Sequence, residues 1–426
     1  MPLDRIPCRG EDCTNTILPA TASANDGFCA PCVQKRKRAQ RDEFIRQNRR
    51  TVNLYEGITD PVDVIRILHT PRRTDPLVNL VPPPKSVEDL YASLDSAQAN
   101  RMMQLAAEAL RSGNTEFAED IGKSLATLTD FSLDPMLETW LAENYYWPSV
   151  VFRNAGPVVR DRLLSVMSVI NGTLNINHAL CALAWIGDQR VCDEFLGWEN
   201  SPPPWRAQLH VGPRRYAHVA GWEPTQNGRR DLYHRTCLAI QPVKAGETAC
   251  ELVVPLKDSS GDCPWCNLRL TSLLELNLAA SEFSFLGFSG PTLPILTCEA
   301  CSCFGAAFGK VDQAGVAHWS DKNLRPNRLP GKIASWRRGP WSGVQVRLTP
   351  RRAIHAVDWC MPVTTSQIGG LPSWVQDAAY PFCPECQRTM TFIAQLDNGH
   401  FPGNEGIYYA FLCTTCRITS TTYQQT

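Results

Sequence analysis

The sequence predicts a multidomain α+β protein, on the basis of its length, a change in hydrophobic pattern along the chain and its clustered cysteines. The chain has 426 residues, which favours about two to four domains over a single core. With 43% hydrophobic and 20% charged residues, it has enough apolar side chains for ordinary cores. This composition excludes a disordered, collagen-like or coiled-coil chain. Helical spacing of apolar residues prevails up to about residue 199, and short strand-like segments follow.

The 18 cysteines are the main chemical signal in the sequence. The amino-terminal residues contain no apolar signal segment, and no run of about 18 apolar residues occurs, so we expect a cytoplasmic protein with no membrane partner. A reducing compartment disfavours disulfides, and clustered thiols in such proteins usually bind metal. Five Cys-x-x-Cys pairs occur, where random placement gives roughly one. The cysteine pattern therefore predicts metal sites.

The pairs sort by proximity into three four-cysteine sites. Two tight turns, each contributing two thiolates, complete a tetrahedral zinc site, so we expect about three Zn²⁺ ions. Because a closed site leaves no position for water or substrate, these ions are predicted to be structural. The predicted ligand sets are Cys8, Cys13, Cys29 and Cys32; Cys263, Cys266, Cys298 and Cys301; and Cys383, Cys386, Cys413 and Cys416.

Two alternatives stay open at these sites. Metal binding is the preferred interpretation of all three sites, and the alternative is that some pairs are buried free thiols, because unligated cysteine behaves as a small hydrophobic residue. Cys303 follows Cys301 closely and competes with it as a ligand of the middle site. Besides Cys303, five cysteines remain outside the predicted sites: Cys181, Cys192, Cys237, Cys250 and Cys360. Core packing is the expected role of Cys181.

The amino-terminal part is predicted to be a zinc knuckle over residues 1–34, followed by a basic helix and Pro-rich linker over residues 35–85. The knuckle is too short to hold a core without its metal. From Lys35 to Arg50 there are eight Lys or Arg against Asp42 and Glu43. This run is compatible with nucleic-acid binding, but a solvated helix with internal charge pairs is the preferred interpretation.

Residues 86–200 are predicted to form an α-helical domain. Ser86 and Asp89 match a capping box, and apolar residues then recur at spacings of three and four. Near its end, an apolar helix, a Gly187-Asp188 turn and a second helix resemble a HEAT-type hairpin, whose helices stack because neither buries its apolar face alone. From Ser86 to Tyr145 there are 11 Asp or Glu against three Lys or Arg.

Residues 201–426 are predicted to form a β-rich domain with two zinc ribbons. Segments such as Glu251–Pro255 and Val344–Leu348 are rich in strand-forming residues and bounded by Gly and Pro. Asp321 to Arg352 contains nine Lys or Arg against a single acidic residue. Although the overall net charge is zero, the separate acidic and basic stretches predict a dipolar molecule. Its acidic helices would attract a basic partner and repel phosphate.

The common catalytic signatures are absent from the sequence. No GxSxG, HExxH or GxGxxG motif occurs, which removes the usual hydrolase, metalloprotease and dinucleotide-binding signals. His218, His234 and Asp231 are close in sequence, but ordinary core or surface positions explain them better than an acid–base pair. The clustered tryptophans around the helix-to-strand transition are predicted to pack between domains: Trp185, Trp198, Trp205 and Trp222.

The carboxyl-terminal part resembles a known bacterial family. Four segments carry this resemblance: Ser366–Gln376 with its Gly-Gly-Leu-Pro-Ser-Trp core, Cys383-Pro384-Glu385-Cys386, Gly406–Phe411 and Tyr423–Thr426. They are similar to the YwqG-like family over about the last 100 to 200 residues. The resemblance implies a β-rich architecture much more than an activity. Zinc-bearing members preceded by helices resemble immunity proteins encoded beside polymorphic toxins.

These observations predict a non-catalytic protein-binding protein. The leading hypothesis is an immunity protein that binds a cognate bacterial toxin and neutralises it sterically, with the acidic helices steering a basic toxin onto the surface. One alternative is a zinc-ribbon nucleic-acid-binding protein that uses Lys35–Arg50 and Arg325–Arg352. Another is an enzyme whose catalytic groups converge from distant segments.

Overall fold

A computed structural model describes residues 4–331, 333, 337–355 and 365–425 of the chain. The chain divides into two compact units, Met1–Leu90 and Tyr91–Thr426. The second unit contains both the predicted helical domain and the predicted β-rich domain. Cys360, Lys332 of the basic stretch and the terminal Thr426 lie outside the described residues.

The first unit is built from short elements around a very small apolar core. Strands β1 (Ile6–Pro7) and β2 (Thr16–Ile17) pair antiparallel. The small core consists of Cys8, Ile17 and Cys29. The pair β3–β4 is parallel, which requires the crossover that α3 supplies. The elements are β1 (Ile6–Pro7), β2 (Thr16–Ile17), α1 (Pro19–Ala24), α2 (Ala30–Asn48), β3 (Arg50–Val52), α3 (Pro61–His69), β4 (Val78–Leu80) and α4 (Val87–Ala92), within which the unit ends.

Helix α2 has an unusual environment for its length. It spans 19 residues, begins directly after Cys29 with Pro31 in its first turn, and none of its residues is buried. Proline is favoured at this position because the amide groups of the first turn have no intrahelical partner. The helix starts inside the predicted knuckle and continues through most of the predicted basic segment. Further along, the predicted capping of Ser86 is present, with Asp89 N donating to Ser86 Oγ at 3.1 Å.

The second unit opens with a series of helices. Asp95 and Gln98 form a complete capping box at the start of α5, a signal that begins the helix there and separates it from α4. The helices are α5 (Ser96–Arg111), α6 (Thr115–Leu128), α7 (Asp134–Ala142), α8 (Pro157–Val166), α9 (Thr173–Ile186), α10 (Gln189–Asn200) and α11 (Pro213–Ala217), with short 3-10 segments at Ser149–Phe152, Pro204–Gln208, His218–Ala220, Ser281–Leu286 and Asn398–His400.

The predicted helical hairpin near the end of this series is confirmed. Helix α9 ends at Gly187, which adopts a left-handed φ of +50°, a conformation that glycine reaches without the Cβ penalty of other residues. Asp188 then caps α10 by accepting a hydrogen bond from Val191 N at 3.0 Å. The finer likeness of the helical region to HEAT repeats stays a prediction.

The strands of the second unit form one large and two small antiparallel sheets. The large sheet has the order β12-β11-β17-β16-β15-β14-β7-β13, a second has the order β10-β9-β8, and β5 pairs with β6. The strands are β5 (Trp222–Thr225), β6 (Gly228–Asp231), β7 (His234–Pro242), β8 (Val253–Asp262), β9 (Arg269–Asn277), β10 (Thr292–Thr297), β11 (Ala307–Val311), β12 (Ala317–Trp319), β13 (Val346–Pro350), β14 (Gln367–Gly370), β15 (Thr391–Asp397), β16 (Ile407–Cys413) and β17 (Ile418–Gln424).

The large sheet is covered on both faces. Every residue of β16 is buried, and alternate side chains enter two different cores. Tyr408 and Leu412 belong to the core shared with the three-stranded sheet, whereas Tyr409 and Phe411 pack with Tyr380 and other residues on the opposite face. Because successive side chains of a strand point to opposite faces, a strand buried on both sides reads as a continuous apolar run.

Of the four tryptophans predicted to pack between domains, Trp222 packs between helices and strands of a single unit. Trp222 at the start of β5 is fully buried and its indole Nε1 donates to the carbonyl of Ala184 on α9 at 2.7 Å. Phe195 on α10 stacks against it with a ring separation of 5.8 Å. These contacts join the helices to the strands within one unit. Among the described residues, no helix combines the length and apolar character needed to cross a membrane.

Candidate metal centres

All twelve predicted ligands come together in three groups of four thiols. Within each group the four Sγ atoms lie within 4.8 Å of one another. The groups are centre 1, with Cys8, Cys13, Cys29 and Cys32; centre 2, with Cys263, Cys266, Cys298 and Cys301; and centre 3, with Cys383, Cys386, Cys413 and Cys416. Four convergent thiols are a donor set that can hold a metal ion.

The sulfur separations fit a tetrahedral metal site better than disulfides. The Sγ–Sγ distances include 3.7 Å in centre 1, 3.5 and 3.9 Å in centre 2 and 3.7 Å in centre 3. A disulfide requires about 2.05 Å between sulfurs. Four sulfurs placed tetrahedrally around an ion at ~2.3 Å stand about 3.8 Å apart. The arrangement therefore matches the spacing that an enclosed ion requires.

Centre 1 is supported mainly by its own loop. Cys29 N donates to Cys8 Sγ at 3.1 Å, Gly10 N donates to the same sulfur at 3.4 Å, and Asn15 Nδ2 donates to Cys29 Sγ at 3.5 Å. A Cβ atom on Gly10 would lie 2.4 Å from Cys32 Sγ. Glycine is required there because the backbone passes so close to a ligand.

Centre 2 lies at one edge of the three-stranded sheet, where β8 and β10 end and β9 begins. Cys263 and Cys266 form the turn between β8 and β9, and Cys298 and Cys301 follow β10. In the first turn Asn267 N donates to Cys263 O at 2.8 Å, and Asn267 takes a left-handed φ of 61°. The carbonyl is thereby satisfied while both sulfurs face inward.

Cys301, and not Cys303, lies within the sulfur group of centre 2. Cys301 is fully buried within the group. Cys303 is exposed, and its thiol lies 3.2 Å from the carbonyl of Ala300. Cys303 therefore does not replace Cys301 in this geometry.

Centre 3 is held by the large sheet. The predicted hairpin between its two cysteine pairs is present, because β15 and β16 pair antiparallel between them. Cys413 is the last residue of β16, and the turn through Cys416 leads into β17. Gln387 N donates to Cys383 O at 2.9 Å, and Gln387 has a φ of 58°. This is the same turn geometry as in centre 2.

The thiols within a group differ in acidity, as expected for ligands that share charge. The hydrogen bond from Asn15 lowers the pKa of Cys29 to about 6, and the backbone amide of Arg388 lowers the pKa of Cys386 to about 7. Burial raises the pKa of Cys413 to about 11. Hydrogen bonds among the clustered thiols also lower the pKa of Cys263 in centre 2. Since the thiolate is the metal-binding form, each centre has one ligand with a lowered pKa that deprotonates readily: Cys29 in centre 1, Cys263 in centre 2 and Cys386 in centre 3.

Four further cysteines lie apart from the three centres. Cys192 and Cys237 are buried, and Cys181 and Cys250 are partly buried. The Cys237 thiol lies 3.4 Å from Gln367 Oε1 on the neighbouring strand β14. Burial raises the pKa of Cys237 and of Cys192, so both thiols stay protonated at neutral pH. Cys192 and Cys237 are thus packing residues. Cys181, the cysteine for which the sequence predicts core packing, is partly buried and lines two cavities.

The histidines near one another in sequence are separated by the fold. His218 is 2% exposed, and its neighbour is Glu223, whose Oε2 lies 4.0 Å from His218 Nε2. His234 instead packs edge-on against Phe285. Asp231 pairs with Arg229 at 2.7 Å. None of the hydrogen bonds or ion pairs in the described part of the chain joins His218, His234 and Asp231 to one another.

Sequence analysis missed the buried polar group around Glu223. Its Oε1 pairs with Arg230 Nη2 at 2.6 Å, and its Oε2 accepts from Thr389 Oγ1 at 2.7 Å. Thr389 lies 166 positions away, so no local pattern indicates the contact. Desolvation, together with the charges of Arg215, Arg214 and Arg230, lowers the pKa of His218 to about 4. The ring is therefore neutral at neutral pH.

The basic stretch from Asp321 to Arg352 is largely used within the fold. Arg338 pairs with Asp258 at 2.6 Å, Arg347 with Glu247 at 3.2 Å and Arg352 with Asp130 at 2.5 Å. Arg325 donates to main-chain carbonyls, including that of Pro330 at 2.9 Å. These four guanidinium groups have partners within the fold, which balances part of the positive charge that the sequence concentrates there.

Comparison with known proteins identifies a relative but no activity. No family model matches the chain, and no solved structure matches it. The chain is 39% identical over 429 residues to a protein of Salmonella typhimurium (strain LT2) described as uncharacterized protein YpfL, with 99% of this chain and 100% of that protein covered. The likeness to YwqG-like proteins stays a prediction. The chain belongs to the same family as YpfL.

Proposed function

We propose that this protein is a zinc-stabilised, non-catalytic binding protein, and that its first unit binds nucleic acid. The observation that carries the proposal is helix α2, which leaves centre 1 as a 19-residue helix with no buried residue. In a globular protein a helix normally buries an apolar face. A helix that buries nothing and is rich in arginine and lysine fits a surface for a polyanion.

Each of the three centres is proposed to hold one Zn²⁺ ion. All four donors in each centre are thiols, a set typical of structural zinc. When bound, the ion supplies folding free energy to the loops that carry the cysteines. A compartment that keeps thiols reduced, such as the cytoplasm, suits three such centres.

The charge on α2 is concentrated in its first half. Lys35, Arg36, Lys37 and Arg38 are consecutive and exposed. Arg46 near the end of the helix pairs with Glu43 at 2.5 Å, so its charge is partly balanced. The guanidinium of Arg36 also lies 4.2 Å from the centre of the Phe28 ring, which anchors the start of the helix next to centre 1.

Four exposed cations on one helical turn predict a salt-sensitive interaction with phosphate groups. Neutralising about four phosphates gives a slope near −3.6 for the logarithm of affinity against the logarithm of salt concentration. This corresponds to about a 100-fold loss of affinity between 50 and 200 mM salt. Because Arg325, Arg338, Arg347 and Arg352 are engaged internally, these four cations of the second unit are expected to contribute little to this slope.

The proposal is tested by fluorescence anisotropy of labelled single-stranded and duplex oligonucleotides with the full chain at several salt concentrations. The variant with Lys35→Gln, Arg36→Gln, Lys37→Gln and Arg38→Gln is expected to lose at least about tenfold in affinity at low salt and most of the salt slope. A matched control removes four exposed cations from the second unit, through Arg235→Gln, Lys322→Gln, Arg328→Gln and Arg337→Gln. Absence of retention at low salt, or equal losses in both variants, contradicts the proposal.

A second candidate is the toxin-neutralising function predicted from the sequence. The observation that favours it is a set of exposed carboxylates on or next to α5–α7: Glu108, Glu116, Glu138 and Glu143. Such a surface would steer a basic protein toward these helices. Other acids of the region act within the fold, since Asp134 accepts from Gly156 N at 2.9 Å and Asp120 pairs with Lys123 at 3.3 Å.

Co-expression with the product of the neighbouring gene tests this second candidate. Survival of cells that produce a toxin together with this chain, and loss of that protection when the four glutamates become glutamine, supports it. Normal killing in the presence of the folded chain contradicts it. That the protein is not an enzyme stays a prediction.

A further inference from the structure

Two adjacent cavities in the second unit lie along one face of helix α9. The first has a volume of about 360 Å³ and the second of about 390 Å³. Both are lined by Cys181, Val219, Asp377 and Ala378, so the two cavities adjoin at these four residues, and together they are called the cleft. The α9 residues that line it are Thr173, Asn177, Cys181 and Trp185. Their spacing of four residues places them on one face over about 18 Å.

The opposite wall of the cleft is the segment that follows the paired glycines Gly369 and Gly370. Its residues Pro372, Trp374 and Gln376 line the first cavity. Both glycines have left-handed φ values, 69° and 68°, and a Cβ on Gly369 would lie 2.1 Å from the Thr236 carbonyl oxygen. The two glycines therefore allow the chain to leave β14 in the direction of the cleft.

This wall is held by hydrogen bonds that fix its backbone. Gln424 Oε1 accepts from the amides of Val375 at 3.1 Å and Gln376 at 3.0 Å. Tyr409 Oη donates to the Ser373 carbonyl at 2.6 Å, and Gln395 Oε1 accepts from Ser373 N at 2.9 Å. A segment fixed at this many points gives a preformed cavity, which lowers the entropy cost of binding.

The first cavity is lined by three tryptophans. Trp185 comes from α9, Trp374 from the opposite wall, and Trp147 from the segment before the 3-10 turn Ser149–Phe152. Trp374 stacks on Tyr409 with ring centres 4.7 Å apart, and Trp147 stacks on His178 at 5.0 Å. Trp147 remains 44% exposed. Indole walls of this kind accept a planar aromatic group by stacking and burial.

The charged groups of the cleft are distributed along it. Asp377 is exposed at the junction of the two cavities, and its negative charge adds to the burial that raises the pKa of the Cys181 thiol to about 12. Arg215 lines the second cavity together with Asn177. Along the cleft, an aromatic chamber is thus followed by an anionic group and then by a cationic one.

We propose that this cleft binds an aromatic amino acid with a free α-ammonium group, either as the free amino acid or as the first residue of a peptide. The aromatic side chain enters the tryptophan-lined cavity, the ammonium group pairs with Asp377, and the carboxylate or the continuing peptide chain extends toward Arg215. The site is independent of nucleic-acid binding by α2. A free aromatic amino acid and a peptide that begins with one offer the same chemistry, and the experiment separates them.

Isothermal titration calorimetry of the full chain with four probes tests the proposal. L-tryptophan carries all three groups, L-tryptophanamide lacks the carboxylate, indole-3-propionate lacks the ammonium, and Trp-Gly-Gly extends the chain. We expect L-tryptophan or Trp-Gly-Gly to bind with a dissociation constant below about 1 mM, and indole-3-propionate to bind at least about tenfold more weakly. Tighter binding of Trp-Gly-Gly assigns a peptide, and tighter binding of L-tryptophan assigns the free amino acid.

Two variants identify the charged contacts. Asp377→Asn is expected to weaken L-tryptophanamide about tenfold and to leave indole-3-propionate unchanged, because only the former carries the ammonium. Arg215→Gln is expected to weaken L-tryptophan and not L-tryptophanamide. The matched control Asp321→Asn removes an exposed carboxylate that is 85% accessible. No binding of any probe, or equal binding of every probe by wild type and Asp377→Asn, overturns the proposal.

Discussion

Arg352 donates from its guanidinium Nη2 to Asp130 Oδ1 at 2.5 Å, across 222 positions of the chain. The same side chain donates to the carbonyls of Thr127 and Thr129, each at 3.0 Å. These carbonyls lie at the end of α6, where backbone acceptors have no intrahelical partner and a cation is favoured. The positive charge beside Asp130 lowers the pKa of its carboxyl. Arg352 thus joins the strand region to the end of a helix.

Replacing Arg352 is expected to destabilise the second unit. Arg352→Ala removes the side-chain donor of the Thr127 carbonyl and one of the two donors of the Thr129 carbonyl, which keeps Arg153 Nη2 at 2.9 Å. We expect a cost of about 1–3 kcal/mol of unfolding free energy. Asp130→Asn should cost less than about 1 kcal/mol, because this carboxylate is largely exposed and surface ion pairs contribute little. Urea unfolding monitored by tryptophan fluorescence measures both. If the two variants are equally stable, the carbonyl contacts do not carry the stabilisation.

The contact also shows that a pattern of charges along a sequence does not predict which charges pair in the folded protein. Asp130 belongs to the acidic stretch and Arg352 to the basic one, whose separation predicts a dipolar molecule. Here the fold brings the two charges together, and Arg338 of the same stretch donates to two acceptors in β8, the Asp258 carboxylate and the Leu256 carbonyl. A sequence gives the sign of each charge, but the partner depends on tertiary contacts between distant segments.

Local chemistry, by contrast, is predicted well from the sequence. The twelve clustered cysteines follow from spacing, because two residues between thiols fit a single tight turn. The Gly187-Asp188 turn follows from the αL preference of glycine and the capping preference of aspartate. The cleft along α9 does not, since Trp147, Trp185 and Trp374 come from three separate segments.

Loss of a ligand of centre 1 is expected to unfold the knuckle and to leave the second unit folded. The core beside centre 1 has only three buried residues, Cys8, Ile17 and Cys29, so the knuckle depends on its metal to fold. Cys29→Ser should lower the zinc content from about three ions to two per chain and abolish the ordered structure of the knuckle. The second unit should keep its unfolding transition, because the cores on the two faces of its large sheet contain no residue of centre 1.

Elemental analysis and thermal unfolding measure these two effects. Cys303→Ser is the matched control, because this thiol is exposed and lies outside centre 2. Its zinc content should equal that of the wild type. A metal-free protein that is fully folded, or a loss of zinc in Cys303→Ser, contradicts the assignment of the centres.

A side chain at Gly369 is expected to disrupt the wall of the cleft. Its φ is +69°, and an added Cβ would lie 2.1 Å from the Thr236 carbonyl oxygen, so Gly369→Ala meets both backbone strain and a backbone clash. We expect a loss of about 2–4 kcal/mol in unfolding free energy. Gly343 is a suitable control, since its φ is +74° and a Cβ there has no neighbour within 4 Å.

Gly343→Ala isolates the strain of a left-handed backbone and should cost about 1 kcal/mol. Chemical denaturation of the two variants side by side gives the difference, which reports the clash alone. Equal losses would mean that the chain relaxes around Gly369 at no cost.

Protonation of His218 is expected to destabilise the protein at acid pH. The ring is 2% exposed, and neither nitrogen has a hydrogen-bond partner among the described residues. Burial first, then the positive charge of Arg215, lowers the pKa to about 4, against the favourable charge of Glu223. Arg214 and Arg230 also disfavour the protonated ring. The folded state therefore holds a neutral imidazole at neutral pH.

The direction of the pH dependence follows from the two pKa values. The folded pKa of His218, about 4, is lower than the unfolded value of about 6.5, so the unfolded chain binds more protons between these values. The contribution of His218 is complete above pH 6.5 and is lost as the pH falls toward 4, by about 1–3 kcal/mol. His218→Phe keeps a buried ring without a titrating group. Urea unfolding from pH 7 to pH 4 should show a shallower loss of stability in this variant, and an identical pH dependence would place the acid sensitivity in other groups.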